Sequence, residues 1–270
     1  MFRIDIEYPT TSKNEPRYTE RTTNKYIERV LTENVNSYQS TLRSFQKYFT
    51  NLLKIEAYGD ENSNSPCYIN PFLPGLDSVS LYCLIAEVKP KTYIEIGSGN
   101  STKFAKKAIS DNNLSTKVIS IDPQPRAEID KLCDEVIRMP LEDISLDIFD
   151  SITENDIVFF DGSHRCFMNS DVTALFLDIM PRLKSGNYLH IHDIFWPLDY
   201  PSEWKERYYN EQYLLGTLLA NGLVNYEVIL PNIYVSLNPE LSNIIEPLWA
   251  SDMKFKHVER HGCSFWMCKR

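Results

Sequence analysis

The feature that most constrains the fold is a short apolar run that ends in two closely spaced glycines and leads into a helical pattern. The run is Tyr93–Ile96, the glycines are Gly97 and Gly99, and the helical pattern covers residues 101–110. This order predicts a strand that turns tightly into a helix at the carboxyl edge of a parallel sheet, where open α/β proteins bind ligands. Because glycine has no side chain, the backbone here can approach a ligand closely. The segment therefore predicts a nucleotide-type cofactor at this edge.

The same alternation of short apolar runs and helical patterns continues to the end of the chain. Strands are predicted at residues 92–96, 117–121, 135–139, 156–160, 187–192, 226–230 and 263–268. Helices are predicted at residues 77–88, 101–110, 127–133, 170–182, 204–220 and 241–249. The alternation predicts an α/β, Rossmann-like domain over residues 76–270, with a mostly parallel seven-stranded sheet covered by helices. The last strand has no helix after it, which fits an antiparallel strand inserted at a sheet edge.

Residues 1–75 are predicted to form an N-terminal extension. Residues 1 to about 23 are polar and suggest an extended lead-in, and a loop rich in Asn, Ser and Pro covers residues 60–74. Between them, apolar positions recur in alternating steps of four and three, which predicts one long amphipathic helix over residues 24–56. The positions are Leu31, Val35, Tyr38, Leu42, Phe45, Phe49 and Leu52. Two alternatives follow: this stripe packs on the body of the protein, or it forms a coiled-coil-like contact in a homo-oligomer.

Charge and cysteine content exclude several classes of partner. The net charge of -9 argues against nucleic acid as the main partner, because nucleic-acid binders usually carry an excess of Lys and Arg. The six cysteines are dispersed without a C-x-x-C pair, which suits a reducing compartment better than a disulfide framework. The first residues lack the apolar run of a signal peptide, and no stretch approaches the roughly 20 apolar residues of a membrane span. We expect a cytoplasmic protein that acts on a small molecule.

Acidic and histidine residues follow two neighbouring strands of the predicted sheet. Asp161 ends the strand at 156–160, and Asp193 ends the strand at 187–192. Two carboxylates at adjacent strand ends can share a divalent cation such as Mg²⁺ or Mn²⁺. His190 and His192 lie on one side of their strand, so one of them is available as a further ligand. The sequence predicts Asp161, His192 and Asp193 as a metal site, and the alternative is a metal-free site in which His190 is a core residue.

Five segments resemble a bacterial family of class I S-adenosylmethionine-dependent methyltransferases, often labelled methyltransferase family 24. The resemblance covers roughly residues 68–235 and is carried by segments 70–77, 93–104, 121–126, 160–164 and 190–195. It implies S-adenosylmethionine as the methyl donor, held by the glycine loop, and an antiparallel strand that completes the sheet. Thr102 stands where a dinucleotide fingerprint would have its third glycine, which disfavours a nicotinamide cofactor.

The cofactor site follows from the resemblance together with the strand ends. An acidic side chain before the glycines supports the site electrostatically in this family, and Asp122, at the end of the second strand, is placed to bind ribose hydroxyls. Glu142 and Asp143 follow the third strand, where one of them can approach the adenine. The predicted cofactor-binding residues are Glu95, Gly97, Ser98, Gly99, Asn100, Ser101, Asp122, Glu142 and Asp143.

Catalysis is predicted to depend on Asp161 and His164. Metal-dependent catechol-type O-methyltransferases resemble this arrangement but carry a lysine base where this chain has His164. A neutral imidazole can also accept a hydroxyl proton near neutral pH. The third ligand in those enzymes is an Asn directly after the second Asp, and here that residue is Ile194, so a histidine would have to replace it. The aromatic and proline-rich loop 196–204 is expected to shape an acceptor pocket.

The expected function is O-methylation of a hydroxyl on a sugar or natural product, with divalent-metal assistance. Three alternatives stay open at this point. One is N- or C-methylation. Another is a nicotinamide-dependent oxidoreductase or a hydroxylase-like relative on the same fold, and the last is a non-catalytic accessory subunit that keeps a vestigial cofactor site.

Overall fold

A single mixed sheet of seven strands forms the centre of the molecule. The computed structural model describes residues 15–60, 63–125 and 127–270, so the predicted lead-in before residue 15 and Arg126 of the resembling segment lie outside the described residues. The strands are β1 Thr92–Ile96, β2 Lys117–Ile121, β3 Glu135–Ile137, β4 Ile157–Phe160, β5 Tyr188–Ile191, β6 Tyr226–Pro231 and β7 Phe265–Lys269. They lie in the order β3-β2-β1-β4-β5-β7-β6.

The strand order confirms the predicted Rossmann-like class. Strands β1 to β5 pair in parallel, and the chain reverses its direction of winding between β1 and β4. Open α/β sheets bind ligands at such a switch point, beyond the carboxyl ends of the strands. The glycine turn after β1 and the acidic residue after β4 therefore lie side by side at this point.

The antiparallel C-terminal strand is confirmed, but its predicted position at a sheet edge is wrong. β7 lies between β5 and β6 and is antiparallel to both, while the edges of the sheet are β3 and β6. Phe265, Trp266 and Met267 are consecutive and all buried. Consecutive apolar residues bury both faces of a strand, which is typical of an interior position.

Twelve α-helices surround the sheet in the part of the chain that the structure describes, and a π-helical turn at Ala174–Ile179 joins two of them. The helices are α1 Lys25–Thr32, α2 Val35–Phe45, α3 Phe49–Leu52, α4 Gly75–Val88, α5 Asn100–Asp111, α6 Asp147–Asp150, α7 Asp171–Thr173, α8 Met180–Arg182, α9 Glu211–Ala220, α10 Asn232–Leu237, α11 Pro239–Ser242 and α12 Glu246–Ala250. Every helix in the described part of the chain is too short or too polar to span a lipid bilayer.

The predicted single helix over residues 24–56 is three helices, α1 to α3. Asn24 caps the start of α1, since its side chain accepts hydrogen bonds from the backbone N–H groups of Tyr26 and Ile27. α1 ends at Thr32, where Asn34 bonds back to the Val30 carbonyl at 3.1 Å, and a 3₁₀ turn separates α2 from α3. The apolar residues keep their spacing across these breaks, because each of the three helices turns its apolar face toward the core.

The apolar stripe of these three helices packs on the body of the same chain. Five of its seven members are fully buried: Leu31, Tyr38, Leu42, Phe45 and Leu52. α1 packs against α9, and α2 packs against β6. The stripe is therefore not available as the predicted contact of a homo-oligomer. The domain boundary after residue 75 stays a prediction, and residues on both sides of it share one hydrophobic core.

Three other predicted helices are shorter than expected. The helix at 127–133 is only a 3₁₀ turn, Asp130–Leu132. The helix at 204–220 is divided into a 3₁₀ segment, Ser202–Arg207, and α9, because Tyr208 takes a left-handed conformation with φ of 54°. The helix at 241–249 is divided between α11 and α12, which each begin with a proline in the first turn, where the missing N–H is not needed.

Candidate active site

Three cavities meet at the carboxyl edge of the sheet, and Asp161 lines all of them. The first cavity, of 360 Å³, lies between the glycine loop and residues 65–73, with Gly59 and Asp60 beside them. The second, of 550 Å³, lies between the ends of β1 to β4. The third, of 430 Å³, lies beyond β4 and β5 and reaches the segment of residues 204–209. A group bound at Asp161 can therefore contact ligands in all three cavities.

The two glycines of the loop have different structural roles. Gly97 has φ of +78°, and a Cβ atom there would lie 1.8 Å from the carbonyl oxygen of Asp161. Only glycine allows the ends of β1 and β4 to approach this closely. Gly99 lines the first cavity, and a Cβ atom there would meet no heavy atom within 4 Å. The first glycine is thus required by the packing of the sheet, whereas the second leaves room for a ligand.

Glu95 supports the glycine loop from below. Its buried carboxylate accepts hydrogen bonds from the Tyr93 hydroxyl at 3.0 Å and from the Thr102 hydroxyl. Thr102 in turn accepts the backbone N–H of Gly99 at 3.0 Å. Burial raises the pKa of Glu95 to about 7, although the hydrogen bond from Thr102 acts in the opposite direction. Glu95 is not among the described residues that line the three cavities, so its connection to them is indirect, through the loop.

Asp122 joins the glycine loop to the end of β2. One carboxylate oxygen accepts the backbone N–H of Ser98 at 2.7 Å, and the other accepts that of Gln124 at 2.8 Å. Asp122 lines the second cavity together with Glu142. Asp143 is exposed and is not among the residues that line this cavity, so of the two acids after β3 only Glu142 faces it. Asn100 and Ser101 line the first cavity, and Ser98 lines both cavities.

Two aspartates and two histidines converge at the inner end of the third cavity, and we call them the Asp161 cluster: Asp161, His164, His192 and Asp193. Nε2 of His164 lies 3.2 Å from Asp161 Oδ1 and 3.5 Å from Asp193 Oδ2. Nδ1 of His192 lies 3.3 Å from Asp193 Oδ1 and 3.7 Å from Asp161 Oδ1. His164 and Asp193 both have positive φ, of 62° and 55°, a backbone strain that is frequent at functional sites.

A buried carboxylate lies behind each histidine of the cluster. Glu211, at the start of α9, bonds to Nδ1 of His164, and Asp77, in α4, lies 3.2 Å from Nε2 of His192. Burial alone would lower the pKa of both histidines. The charge of Glu211 and the hydrogen bond with Asp161 instead hold the pKa of His164 well above its ordinary value. Cys263, Asp161 and Asp193 do the same for His192.

His190 is a core residue. Its ring stacks on Phe159, with centroids 3.8 Å apart and planes 7° apart, and its Nε2 lies 2.7 Å from the Ser264 hydroxyl. Burial lowers the pKa of His190 well below its ordinary value, so the ring is neutral. Of the two histidines on this strand, the structure thus brings only His192 into the site.

The ligand atoms of Asp161, His192 and Asp193 all lie within 4.8 Å of one another. Two carboxylate oxygens and one imidazole nitrogen form a donor set that suits a divalent cation such as Mn²⁺ or Mg²⁺. A second group with the same spacing consists of Asp77, His192 and Cys263. In that group Asp77 already accepts hydrogen bonds from Asn232 and two backbone N–H groups, so the first group fits a cation better.

Residues 94–194 match the model of a methyltransferase domain, the family labelled Methyltransf_24. The match contains the glycine loop, Asp122 and the whole Asp161 cluster, and the sheet has the antiparallel C-terminal strand that the resemblance implies. The chain contains an S-adenosylmethionine-dependent methyltransferase domain of class I. This agrees with the resemblance seen in the sequence and favours methyl transfer over the nicotinamide-dependent alternative.

Two solved structures are similar to this methyltransferase at low identity. One is the SAH-bound methyltransferase PaMTH1 of Podospora anserina, at 14% identity and a TM-score of 0.40, with 72% of this chain and 77% of that chain covered. The other is a putative methyltransferase of Thermobifida fusca YX, at 15% identity and a TM-score of 0.40, with 74% and 84% covered. No curated protein matches the chain.

Three residues of this candidate site are not predicted by the sequence. Asp77 lies in the resembling segment 70–77 without a predicted role, and no motif contains Glu211 or Cys263. Cys263 Sγ lies 3.3 Å from Asp193 Oδ1 and lines the third cavity. The one signal in the sequence is that Glu211 stands at the start of a mostly apolar helical stretch.

Aromatic residues form the outer wall of the third cavity. Phe195, Trp204 and Tyr209 line it, and the ring centroids of Phe195 and Trp204 lie 5.2 Å apart. The guanidinium of Arg207 lies 3.9 Å from the centre of the Trp204 ring and also lines the cavity. Of the predicted loop 196–204, Trp204 faces the cavity, while Trp196 is buried and donates to the Gln212 carbonyl at 2.6 Å.

Proposed function

We propose that the methyltransferase transfers a methyl group from S-adenosylmethionine to a hydroxyl oxygen of a sugar or natural product, with the assistance of a divalent cation. The observation that carries this proposal is the position of Asp161 at the junction of three cavities. Two of them flank the glycine loop and suit the two halves of the cofactor, and the third holds the acidic and histidine groups. The methyl group then lies where the cofactor and acceptor cavities meet.

The cofactor is proposed to lie along the glycine loop. Its methionine part occupies the first cavity beside Gly99, Asn100 and Ser101, where the backbone leaves room. Its adenosine part occupies the second cavity, where Asp122 accepts the ribose hydroxyls and Glu142 approaches the adenine. The two backbone hydrogen bonds of Asp122 leave lone pairs on both oxygens for this contact.

The acceptor is proposed to enter through the third cavity, with its ring against the aromatic wall of Phe195, Trp204 and Tyr209. Its hydroxyl oxygen attacks the methyl carbon in line with the carbon–sulfur bond. The new oxygen–carbon bond forms as the carbon–sulfur bond breaks, and the sulfonium becomes the neutral thioether of S-adenosylhomocysteine. Nε2 of His164 receives the hydroxyl proton, and Asp161 orients the reacting groups.

The divalent cation is proposed to bind Asp161, His192 and Asp193. When bound, it would lower the pKa of an acceptor hydroxyl and offset the carboxylate charge that favours the protonated form of His164. His192 supplies the ligand that the Asn of catechol-type enzymes supplies, since Ile194 has no donor atom.

The cytoplasm is the proposed compartment, because none of the six cysteines, all of them described, forms a disulfide.

The proposal is tested with S-adenosylmethionine labelled on the methyl group and incubated with the protein and a small-molecule extract. We expect label on an acceptor hydroxyl, loss of transfer with EDTA, and recovery with Mg²⁺ or Mn²⁺. Asp193→Asn should abolish the recovery, and Asp178→Asn, an exposed acid outside the site, should not. Label on nitrogen or carbon refutes O-methylation, and full activity in EDTA refutes the role of the cation.

A further inference from the structure

We infer that two buried carboxylates, Glu211 and Asp77, divide the two histidines of the Asp161 cluster between proton transfer and cation binding. Each carboxylate fixes which ring nitrogen its histidine turns toward the third cavity. Glu211 positions His164 to accept a proton, and Asp77 positions His192 to bind the cation. The inference rests on the proposed function and extends it to two residues that contact neither ligand themselves.

Glu211 holds the His164 ring in one orientation. Its side chain is fully buried, and one oxygen bonds to Nδ1 of His164 while the other has no hydrogen-bond partner among the described residues. A carboxylate only accepts, so the nitrogen that faces Glu211, Nδ1, carries a proton. Nε2 lies 3.2 Å from Asp161 Oδ1, and it keeps its lone pair in the neutral ring when the proposed cation takes up the charge of Asp161. Tyr209 packs on the ring with centroids 4.4 Å apart and opposes a flip. The free lone pair thus faces the third cavity.

Asp77 imposes the opposite choice on His192. Its Oδ2 lies 3.2 Å from His192 Nε2, so Nε2 carries a proton. Nδ1 lies 3.3 Å from Asp193 Oδ1 and is the nitrogen left to bind the cation that the two aspartates are proposed to share. Asp77 cannot turn away, because it also accepts Asn232 Nδ2 at 2.6 Å and the backbone N–H groups of Cys263 and Ser264 at 2.8 and 2.9 Å. Histidines that bind metals are usually held in this way by a carboxylate on their other nitrogen.

The spacing of the ligand atoms assigns the two roles. Both histidines lie close to Asp161 and Asp193, but only His164 also packs on Tyr209 of the aromatic wall, whereas the ligand atom of His192 lies within 4.8 Å of those of both aspartates. His192 therefore completes the cation site, while His164 stands beside it on the side of the aromatic wall. Glu211 and Asp77 come from α9 and α4, so each histidine is held by a different element.

The tautomers can be read directly from the folded wild-type protein. Histidine labelled with ¹⁵N, in protein loaded with Mg²⁺ and S-adenosylhomocysteine, should show His164 protonated on Nδ1 and His192 protonated on Nε2. The exposed ring of His257, outside the site, serves as the reference. A proton on Nε2 of His164, or on Nδ1 of His192, overturns the inference. This measurement requires no variant and no acceptor.

Variants test whether the two carboxylates act separately. Asp77→Asn should raise the Kd for Mn²⁺ about 10- to 100-fold, the usual effect of losing such a partner. Glu211→Leu should lower the rate of label transfer at saturating Mn²⁺ about 100-fold or more and leave the Kd for Mn²⁺ unchanged. Glu211→Gln, which still accepts the Nδ1 proton, should recover a large part of that rate. Asp178→Asn and Glu206→Gln, both exposed, are the matched controls.

The outcomes separate this inference from the proposed function. If the wild-type protein binds no Mn²⁺, the proposed cation site fails, and this inference fails with it. If the wild type binds Mn²⁺ but Asp77→Asn binds it equally well, only the inference fails. If Glu211→Leu weakens Mn²⁺ binding as Asp77→Asn does, His164 is itself a ligand and the division of roles is wrong.

Discussion

The contrast between the two glycines gives the sharpest prediction for this site. In Gly97→Ala the new Cβ atom would lie 1.8 Å from the Asp161 carbonyl oxygen, on a backbone with φ of +78°. The positive φ costs about 1–3 kcal/mol, and the end of β4 must also shift, so we expect the free energy of unfolding to fall by about 3–5 kcal/mol. In Gly99→Val the Cβ atom has no neighbour within 4 Å, and we expect a loss of about 1 kcal/mol or less.

Gly99→Val should weaken cofactor binding, although it has little effect on stability. The valine side chain would extend into the first cavity, where the methionine part of the cofactor is proposed to lie. Such overpacking costs about 1–3 kcal/mol, which is roughly a 5- to 150-fold rise in Kd. Urea denaturation measures the stability of each variant, and calorimetry with S-adenosylhomocysteine measures the affinity. A stable Gly97→Ala, or a Gly99→Val that binds like wild type, would refute this account of the loop.

Three further predictions concern the cofactor and acceptor sides. Burial raises the pKa of Glu95 from 4.5 to about 7. The folded state therefore binds a proton at Glu95 more tightly than the unfolded state does, and the free energy of unfolding falls as the pH rises from 4.5 to about 7. Glu95→Gln should remove this loss of stability, which is on the order of 3 kcal/mol. Urea denaturation of the wild type and the variant at pH 5 and at pH 8 measures the difference. Asp122→Ala should raise the Kd for S-adenosylhomocysteine about 10-fold or more, because a charge-assisted hydrogen bond is worth about 1.5–3 kcal/mol. An unchanged Kd, measured by calorimetry, would contradict the contact between Asp122 and the ribose. Trp204→Ala should raise the KM for the acceptor and leave the Kd for S-adenosylhomocysteine unchanged, and a change confined to that Kd would show that Trp204 belongs to the cofactor side.

The cofactor end of the site could be predicted because it depends on local order in the sequence. A glycine turn directly after an apolar run, and acidic residues directly after the next strands, fall at one edge once the strands are parallel. Gly99, Asp122, Asp161 and Asp193 were predicted in this way and line the cavities there. Glu95 was predicted to belong to the cofactor site, and its buried position below the loop depends on packing that the motif does not encode.

The residues behind the site could not be predicted, because they reach it through tertiary contacts. Glu211 lies 47 residues from His164, and Asp77 lies 115 residues from His192. Each stands on an apolar helix, where periodicity indicates packing and says nothing of a polar partner. The choice between His190 and His192 was open for a related reason: both lie on one side of the strand, and only packing against Phe159 and Ser264 removes His190 from the site.

Helix breaks and the place of the last strand also depend on context. The spacing of Leu31, Tyr38 and Leu42 fits one continuous helix and fits two helices that pack on the same surface, so periodicity alone could not locate the break near Asn34. The insertion of β7 between β5 and β6 is decided by long-range pairing. The antiparallel direction was predictable from the missing final helix, but the neighbours of the strand were not.

Calorimetric titration of the wild-type protein with S-adenosylmethionine tests the central claim most directly. The account predicts saturable binding of one molecule per chain, competition by S-adenosylhomocysteine, and weaker binding by Gly99→Val in a protein that remains folded. Absence of binding by a folded wild-type protein, or equal binding by Gly99→Val, would contradict the assignment of the glycine loop to the methyl donor.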